Sequence, residues 1–196
     1  MNKPILIFAT NNQHKVDEIN HVIGKQVQVI SLKEADINID IPEPHPTLEA
    51  NATEKSATIH RLTGKNVFSE DTGLEVFALN GEPGVKSARY AGDDKNFQAN
   101  IDKLLLNLKN HSDRSAQFRT VVSLIWNNHE YQFEGICKGN IALIQTGKEG
   151  FGYDPVFIPD GASDSFATMS MDEKNQFSHR KKAIVQLVDF LNQQDQ

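Results

Sequence analysis

The stretch Ile5-Leu6-Ile7-Phe8-Ala9-Thr10-Asn11-Asn12 decides the fold class. Five consecutive apolar residues form the pattern of a strand buried on both faces, as strands inside a largely parallel sheet are. The run stops at Thr10-Asn11-Asn12, whose side-chain oxygens suit the free N–H groups at a helix start. Val16, Ile19, Val22 and Ile23 then recur at helical spacing as far as Gly24, a residue fitted to end a helix. The chain therefore opens strand, tight turn, helix, and Val27-Gln28-Val29-Ile30 reads as a second strand.

Working outward, Ile41-Pro42-Glu43-Pro44-His45-Pro46 is a stiff connector, because three prolines permit neither a helix nor a central strand. Thr47 caps a helix expected over Leu48–Leu62, closing at Gly64. Val67-Phe68 reads as a short strand and Leu74–Leu79 as another, with Asn80-Gly81 as a hairpin turn signal. On this reading Ser69-Glu70-Asp71-Thr72-Gly73 falls between two strands, and its carboxylates emerge at a strand end. Phe97, Ile101, Leu104, Leu105 and Leu108 form a helical stripe launched by Asp93 or Asp94. Residues 117–127 and 130–144 alternate as strands joined at Asn127-Asn128-His129. Val156-Phe157-Ile158 is the last strand. Ala183, Ile184, Leu187, Val188 and Leu191 mark one face of a final helix, whose tail frays from Asn192. Helices alternate with strands, but hairpins interrupt them, so the expected fold is α/β with a mixed twisted sheet flanked by helices, in one two-lobed domain over residues 1–196.

Composition narrows the function classes. Of the 196 residues, 38% are apolar and 23% charged, the balance of a soluble globular protein. A net charge of −6 argues against a nucleic-acid coat, which needs surplus Lys and Arg. The lone Cys137 cannot form an internal disulfide, which fits a reducing compartment. No apolar window reaches membrane-spanning length, so a cytoplasmic location without membrane or nucleic-acid partners is expected. GxxxxGK[ST], strand-coupled GxGxxG, HExxH and paired CxxC patterns are all absent from the sequence.

Helix starts carrying the wrong charge are the informative signals. If Asn12 caps the first helix, His14 and Lys15 sit in its opening turn. If Ser178 caps the last, His179, Arg180, Lys181 and Lys182 crowd its start, with Lys174 just upstream. Each such placement opposes the helix dipole by about 0.3–1 kcal/mol at an exposed site. Surface cations swinging away into solvent would account for one such helix; two in an acidic protein point to a bound polyanion, with N–H groups and cations forming a phosphate site. Glu70 and Asp71, with Glu49 at the start of the preceding helix, are carboxylates of the kind that hold Mg²⁺ beside phosphate or draw a proton from water; taken alone, the segment reads as an ordinary turn with Asp71 bonding its own backbone before Gly73. Gly150-Phe151-Gly152-Tyr153-Asp154-Pro155 is a loop on which a flat ring can stack.

Several of these segments resemble the inosine triphosphate pyrophosphatases, which hydrolyse non-standard purine nucleoside triphosphates. Thr10-Asn11-Asn12-Gln13-His14-Lys15 is similar to that family's TxNxxK motif, and Ser69-Glu70-Asp71-Thr72-Gly73-Leu74 to its DD(S/T)GL motif. Gly81-Glu82-Pro83-Gly84-Val85-Lys86-Ser87-Ala88-Arg89-Tyr90-Ala91-Gly92 resembles GxPGxxSARYAG. Phe151-Gly152-Tyr153-Asp154-Pro155 and Ser178-His179-Arg180 complete the set, in order, over nearly the whole chain.

The resemblance implies an elongated α/β fold with a nucleotide cleft between two lobes, a homodimer, Mg²⁺ dependence, and cleavage of ITP, dITP or XTP to a monophosphate and pyrophosphate. Thr10, Asn12 and Lys15 would hold the triphosphate. Asp71 would be the general base and a metal ligand, with Thr72 beside it and Glu70 and Glu49 as further acidic candidates. Phe151, Gly152, Tyr153 and Asp154 would shape the base pocket, completed by Lys174, His179 and Arg180. Two departures stand out. Thr47-Leu48-Glu49-Ala50-Asn51 places its carboxylate one residue earlier than the family's TFxEN, a turn of about 100° around a helix. Glu70 replaces the first Asp of the acidic pair. A broader nucleoside triphosphate pyrophosphatase and a nucleotide sensor without turnover are the competing readings.

Overall fold

A computed structural model describes residues 5–23 and 27–194. The expected helix stop at Gly24 and the last two residues of the tail lie outside them. Strand β1 (Ile5–Phe8) leads into helix α1 (Gln13–Ile23) and β2 (Gln28–Ser31). The connector follows, then α2 (Leu48–Thr63), β3 (Val67–Val76), β4 (Pro83–Gly84) and α3 (Phe97–Asn107). Then come β5 (Ser115–Trp126), β6 (His129–Ile141), β7 (Phe157–Pro159), α4 (Met171–Phe177) and α5 (His179–Gln194). The sheet order is β2-β1-β3-β5-β6-β7, with β4 paired to β3. β1 runs parallel to β2 and β3, whereas β4 on β3 and β7 on β6 are antiparallel, so the sheet is mixed as expected.

The chain divides into two compact units. The first comprises Met1–Asp71, Thr120–Gly135 and Arg180–Gln196. Here the unbroken apolar run of β1 finds its cause. Leu6 and Phe8 pack with Phe68, Val16, Ile19 and the α5 residues Ala183 and Leu187. Ile7 and Ala9 point the other way, toward Val67, Leu32 and Ile59. Alternate residues of one strand thus serve two helical layers. Phe8 and Phe68 lie parallel at 4.5 Å.

The second unit comprises Thr72–Arg119 and Ile136–His179. Its core gathers Leu74, Val76, Ile101, Leu104, Phe118 and Phe157, among others. The stripe predicted on α3 supplies Ile101, Leu104 and Leu108 to it.

Several boundaries shift for identifiable reasons. The two short strands expected around Ser69–Gly73 are one ten-residue strand, β3, and the acidic segment lies inside it. Polar side chains there are tolerated because buried partners meet them, as described below. Phe77–Leu79 is a 3₁₀ turn, not a strand, and ends at Asn80 with φ 52°. Asn96, not Asp93 or Asp94, caps α3, its side chain accepting from the Ala99 N–H at 3.0 Å. Asn127 and Asn128 both take positive φ in the turn between β5 and β6, a conformation asparagine accepts. The expected final helix is preceded by α4, whose capping box joins Ser170 and Glu173, and Ser178 sits at the junction between the helices. Thr47 and Gly64 bound α2 as read from the sequence. α5 runs to Gln194, past Asn192.

Gly73 is one of the places where the second unit admits no side chain: a Cβ there would stand 2.7 Å from the Gly84 carbonyl oxygen on β4. Gly73→Ala is expected to cost about 1–3 kcal/mol and to lower the melting midpoint by roughly 2–12 °C, read by scanning calorimetry.

Candidate functional site

The β1–α1 turn is built by its own side chains. The Asn12 N–H donates to Thr10 Oγ1 at 3.2 Å, and the Lys15 N–H donates to Asn12 Oδ1 at 3.4 Å. Asn12 therefore caps α1, whose first turn contains no acidic residue. Lys15 reaches Glu70 Oε1 at 2.8 Å.

Glu70 and Asp71 are neighbours on β3, so their side chains leave on opposite faces of the strand. Their environments differ accordingly. Glu70 receives Arg180 Nε at 2.8 Å and Nη2 at 3.1 Å, a two-pronged guanidinium–carboxylate pair, while Arg180 Nη1 also donates to Glu18. Arg180 is only 2% exposed. Burial disfavours the Glu70 carboxylate, but Arg180 and Lys15 outweigh it and hold its pKa far below the usual carboxylate range. Burial also pushes Arg180 down, and Glu70 and Glu18 more than reverse this. Glu70 is therefore held in its ionised form at neutral pH.

Asp71 behaves in the opposite sense. Burial raises its pKa, and Lys55 and Lys15 offset that only in part. Lys55 Nζ lies 3.4 Å from Asp71 Oδ1 and 2.6 Å from Glu43 Oε1. Burial would discharge that ammonium, but Asp71 and Glu43 together raise its pKa. Glu43 owes its position to the proline connector, which Asn51 fastens to α2: the His45 N–H donates to Asn51 Oδ1 at 2.9 Å, and Asn51 Nδ2 donates to the His45 carbonyl at 3.1 Å. Glu49 is half-buried in the first turn of α2, where the helix dipole favours an acid.

Glu43, Lys55, Asn51 and Glu18 were not singled out from the sequence. A signal was available for Lys55, which occupies a core position on the stripe Leu48, Ala52, Ile59 of α2. Glu18 likewise interrupts the buried face of α1, beside Ile19.

In the second unit, Asp154 organises the aromatic loop. Its Oδ2 accepts the Phe151 N–H at 2.9 Å and Lys174 Nζ at 2.6 Å, and both partners of that ion pair are buried. Gly150, at φ 74°, lies so close to the Asp154 carboxylate that a Cβ would overlap it, and Gly152 has φ 62°. Lys174 Nζ stands 5.5 Å from the Phe151 ring centre. Tyr153 donates its hydroxyl to the Ser87 carbonyl at 2.9 Å. His179 stacks on Phe118 at 4.7 Å. Thr72 is half-buried where β3 enters this unit.

Of the predicted residues, the first unit thus brings Thr10, Asn12, Lys15, Glu70, Asp71 and Arg180 onto β1, α1, β3 and the start of α5. The second brings Phe151, Gly152, Tyr153, Asp154 and Lys174 into one loop-and-helix cluster. The guanidinium of Arg180, expected to help bind the nucleotide, pairs with Glu70 and Glu18. Among the described residues, no cluster of three or more His, Cys, Asp or Glu is arranged to hold a metal. Mg²⁺ characteristically takes one or two carboxylates plus substrate phosphates and water. Asp71 and Glu43, hard oxygen donors sharing one lysine, fit such a site.

The Ham1 family model matches residues 6–190. A protein of Porphyromonas gingivalis named dITP/XTP pyrophosphatase is 50% identical over 187 residues, covering 95% of this chain and 96% of that protein. One of the same name from Flavobacterium johnsoniae is 46% identical over 186 residues, covering 95% and 97%. Among solved structures, the Staphylococcus aureus Ham1 protein superposes with a TM-score of 0.88 at 42% identity, covering 97% of this chain and 99% of that one. A HAM1 protein from Coxiella burnetii gives the same TM-score at 34% identity and the same coverage.

Removing the guanidinium takes away the cation that Glu70 and Glu18 share, in a buried place. Arg180→Met is expected to cost about 3–5 kcal/mol by urea denaturation, and adding Glu70→Gln should restore part of it. The depressed pKa of Glu70 fixes the sign of the acid response. Its contribution is full above the unfolded carboxylate pKa and is lost as pH falls through that range toward the folded value. Urea midpoints measured in EDTA should therefore drop below about pH 4, less steeply in Glu70→Gln.

Proposed function

The chain belongs to the Ham1 family, and from that premise we propose that it hydrolyses dITP, ITP and XTP to the nucleoside monophosphate and pyrophosphate. This is a house-cleaning activity that keeps deaminated purines out of nucleic acid, and it is what relatives named dITP/XTP pyrophosphatase support. The observation that carries it is the division of labour on β3: Glu70 is paired directly with Arg180 and Lys15 and its pKa is held down, while Asp71, buried beside Lys55, has its pKa raised. The whole chain, 1–196, is read as one such domain.

In this reading Thr10, Asn12 and Lys15 hold the triphosphate, with the α1 N–H groups facing its charge. Glu70, fixed by Arg180, places the Lys15 ammonium. Asp71 accepts a proton from water as the water oxygen bonds to phosphorus at the α–β junction. The bridging oxygen leaves with pyrophosphate. A carboxylate whose pKa is raised takes that proton more readily than an ordinary one. Lys55 keeps Asp71 and Glu43 from repelling one another. Mg²⁺, bound by Asp71 with Glu43 and the substrate's phosphates, would neutralise charge developing on the phosphate oxygens; Glu70 and Glu49 are the outlying members of that acidic set.

For the base, Phe151 and Gly152 offer a ring and an open backbone, Tyr153 and Asp154 fix the loop, and Thr72 belongs to the same unit. Lys174, His179 and Arg180 are the candidate donors that complete nucleotide binding. Hypoxanthine and xanthine carry an acceptor carbonyl at position 6, where adenine carries a donor, and a donor-built site rejects the wrong group by orders of magnitude. A homodimer in the cytoplasm completes the proposal; among the described residues, no helix is long and apolar enough to cross a membrane.

With Mg²⁺, ITP should give IMP and pyrophosphate, while ATP, GTP and dTTP stay nearly intact by chromatography. IDP and orthophosphate would overturn the cleavage assignment, and turnover of all four nucleotides would favour the broader pyrophosphatase. Asp71→Asn should lower kcat by about 10²–10⁴-fold with the fold retained by circular dichroism. Full activity in that variant would remove Asp71 from the mechanism.

A further inference from the structure

Phe97 opens α3 with 40% of its surface exposed. An exposed phenylalanine alone carries no meaning. This one is not alone: its ring centre lies 6.2 Å from that of Phe151, with the planes tilted by 48°. The two rings touch, yet Phe97 retains a large uncovered apolar area.

Their spacing is set by backbone anchors and not by the contact between them. Asn100, buried one turn into α3, accepts the Ala91 N–H at 2.7 Å and donates to the Ala88 carbonyl at 3.1 Å and the Ser87 carbonyl at 3.4 Å. The same Ser87 carbonyl accepts the Tyr153 hydroxyl. Helix α3 and the 150–154 loop are thus fastened to one short segment, Ser87–Ala91. Lys103 adds to this hold, donating to the Tyr90 carbonyl at 2.5 Å while its ammonium stands 4.4 Å from the Tyr90 ring centre. Phe97 and Phe151 are therefore presented as a fixed pair, with the Lys174 ammonium also near Phe151.

We propose that Phe97 is a specificity-determining residue of the base subsite: a second aromatic wall beside Phe151, against which the purine ring of the bound nucleotide packs. This rests on the assignment of the base to the Phe151 loop made above. A rigid aromatic pair stabilises a flat heterocycle through stacking and area burial while losing little conformational freedom. It favours a two-ring purine over a pyrimidine, because the larger ring spans more of the pair.

The test compares Phe97→Ala, Phe97→Tyr and Phe151→Ala in steady-state hydrolysis of ITP, with inorganic tripolyphosphate as a base-free competitive inhibitor. Phe97→Ala should raise KM for ITP about tenfold, leave kcat within about twofold, and leave the inhibition constant of tripolyphosphate unchanged. Phe97→Tyr should restore KM. An unchanged KM in Phe97→Ala, with KM raised in Phe151→Ala, would overturn the role of Phe97 and leave the base assignment standing. Unchanged KM in both variants would remove the base from this loop altogether. A parallel rise for ITP and tripolyphosphate would mean that the substitution had only disturbed the fold, and would also overturn the proposal.

Discussion

Everything in the first unit's chemistry turns on one buried guanidinium. Arg180, at the start of α5, is enclosed by Glu70 of β3 and Glu18 of α1. Burying three charges is costly, and the cost is met only because the carboxylates and guanidinium satisfy one another at hydrogen-bond distance. The arrangement draws β3 and two helices to fixed relative positions. It also explains why acidic residues sit in the middle of a buried strand instead of at its end.

From that pairing follows the asymmetry between Glu70 and Asp71. A strand sends successive side chains to opposite faces, so adjacent carboxylates meet different partners. Glu70 meets two cations in close contact and is held ionised. Asp71 feels Lys55, shared with Glu43 and at longer range, and Lys15, but burial dominates. A pair that looks like one acidic motif in the sequence is two groups with opposed electrostatics, the pattern that lets one anchor while the other exchanges a proton. The second unit repeats the principle on a smaller scale. The buried Asp154–Lys174 pair and one backbone N–H shape the loop that carries Phe151.

Much of this was legible beforehand. The run Ile5–Ala9 announced a strand covered on both faces, and the structure gives each alternate residue its own layer. Thr47 and Gly64 bounded α2 because capping chemistry is local. The ordered motifs pointed to the family over almost the full chain. The capping box of α4, Ser170 with Glu173, was equally local and equally readable. By contrast, the break expected at Ser69–Gly73 came from treating charged residues as strand-ending. That rule fails when distant cations neutralise them.

What the sequence determined by itself were the properties set by near neighbours: helix caps, turn asparagines, apolar periodicity, and the residue types from which a phosphate and base site could be assembled. What only the tertiary structure decided was which charges meet. Arg180 lies 110 positions from Glu70 and 162 from Glu18, and no spacing rule joins residues so far apart. Lys55, Glu43 and the Asn51–His45 clamp belong together because a proline-stiffened connector folds back on its own helix. The roles of these side chains follow from Coulomb interaction and desolvation, which depend on distance in space, and that distance exists only once the chain has folded.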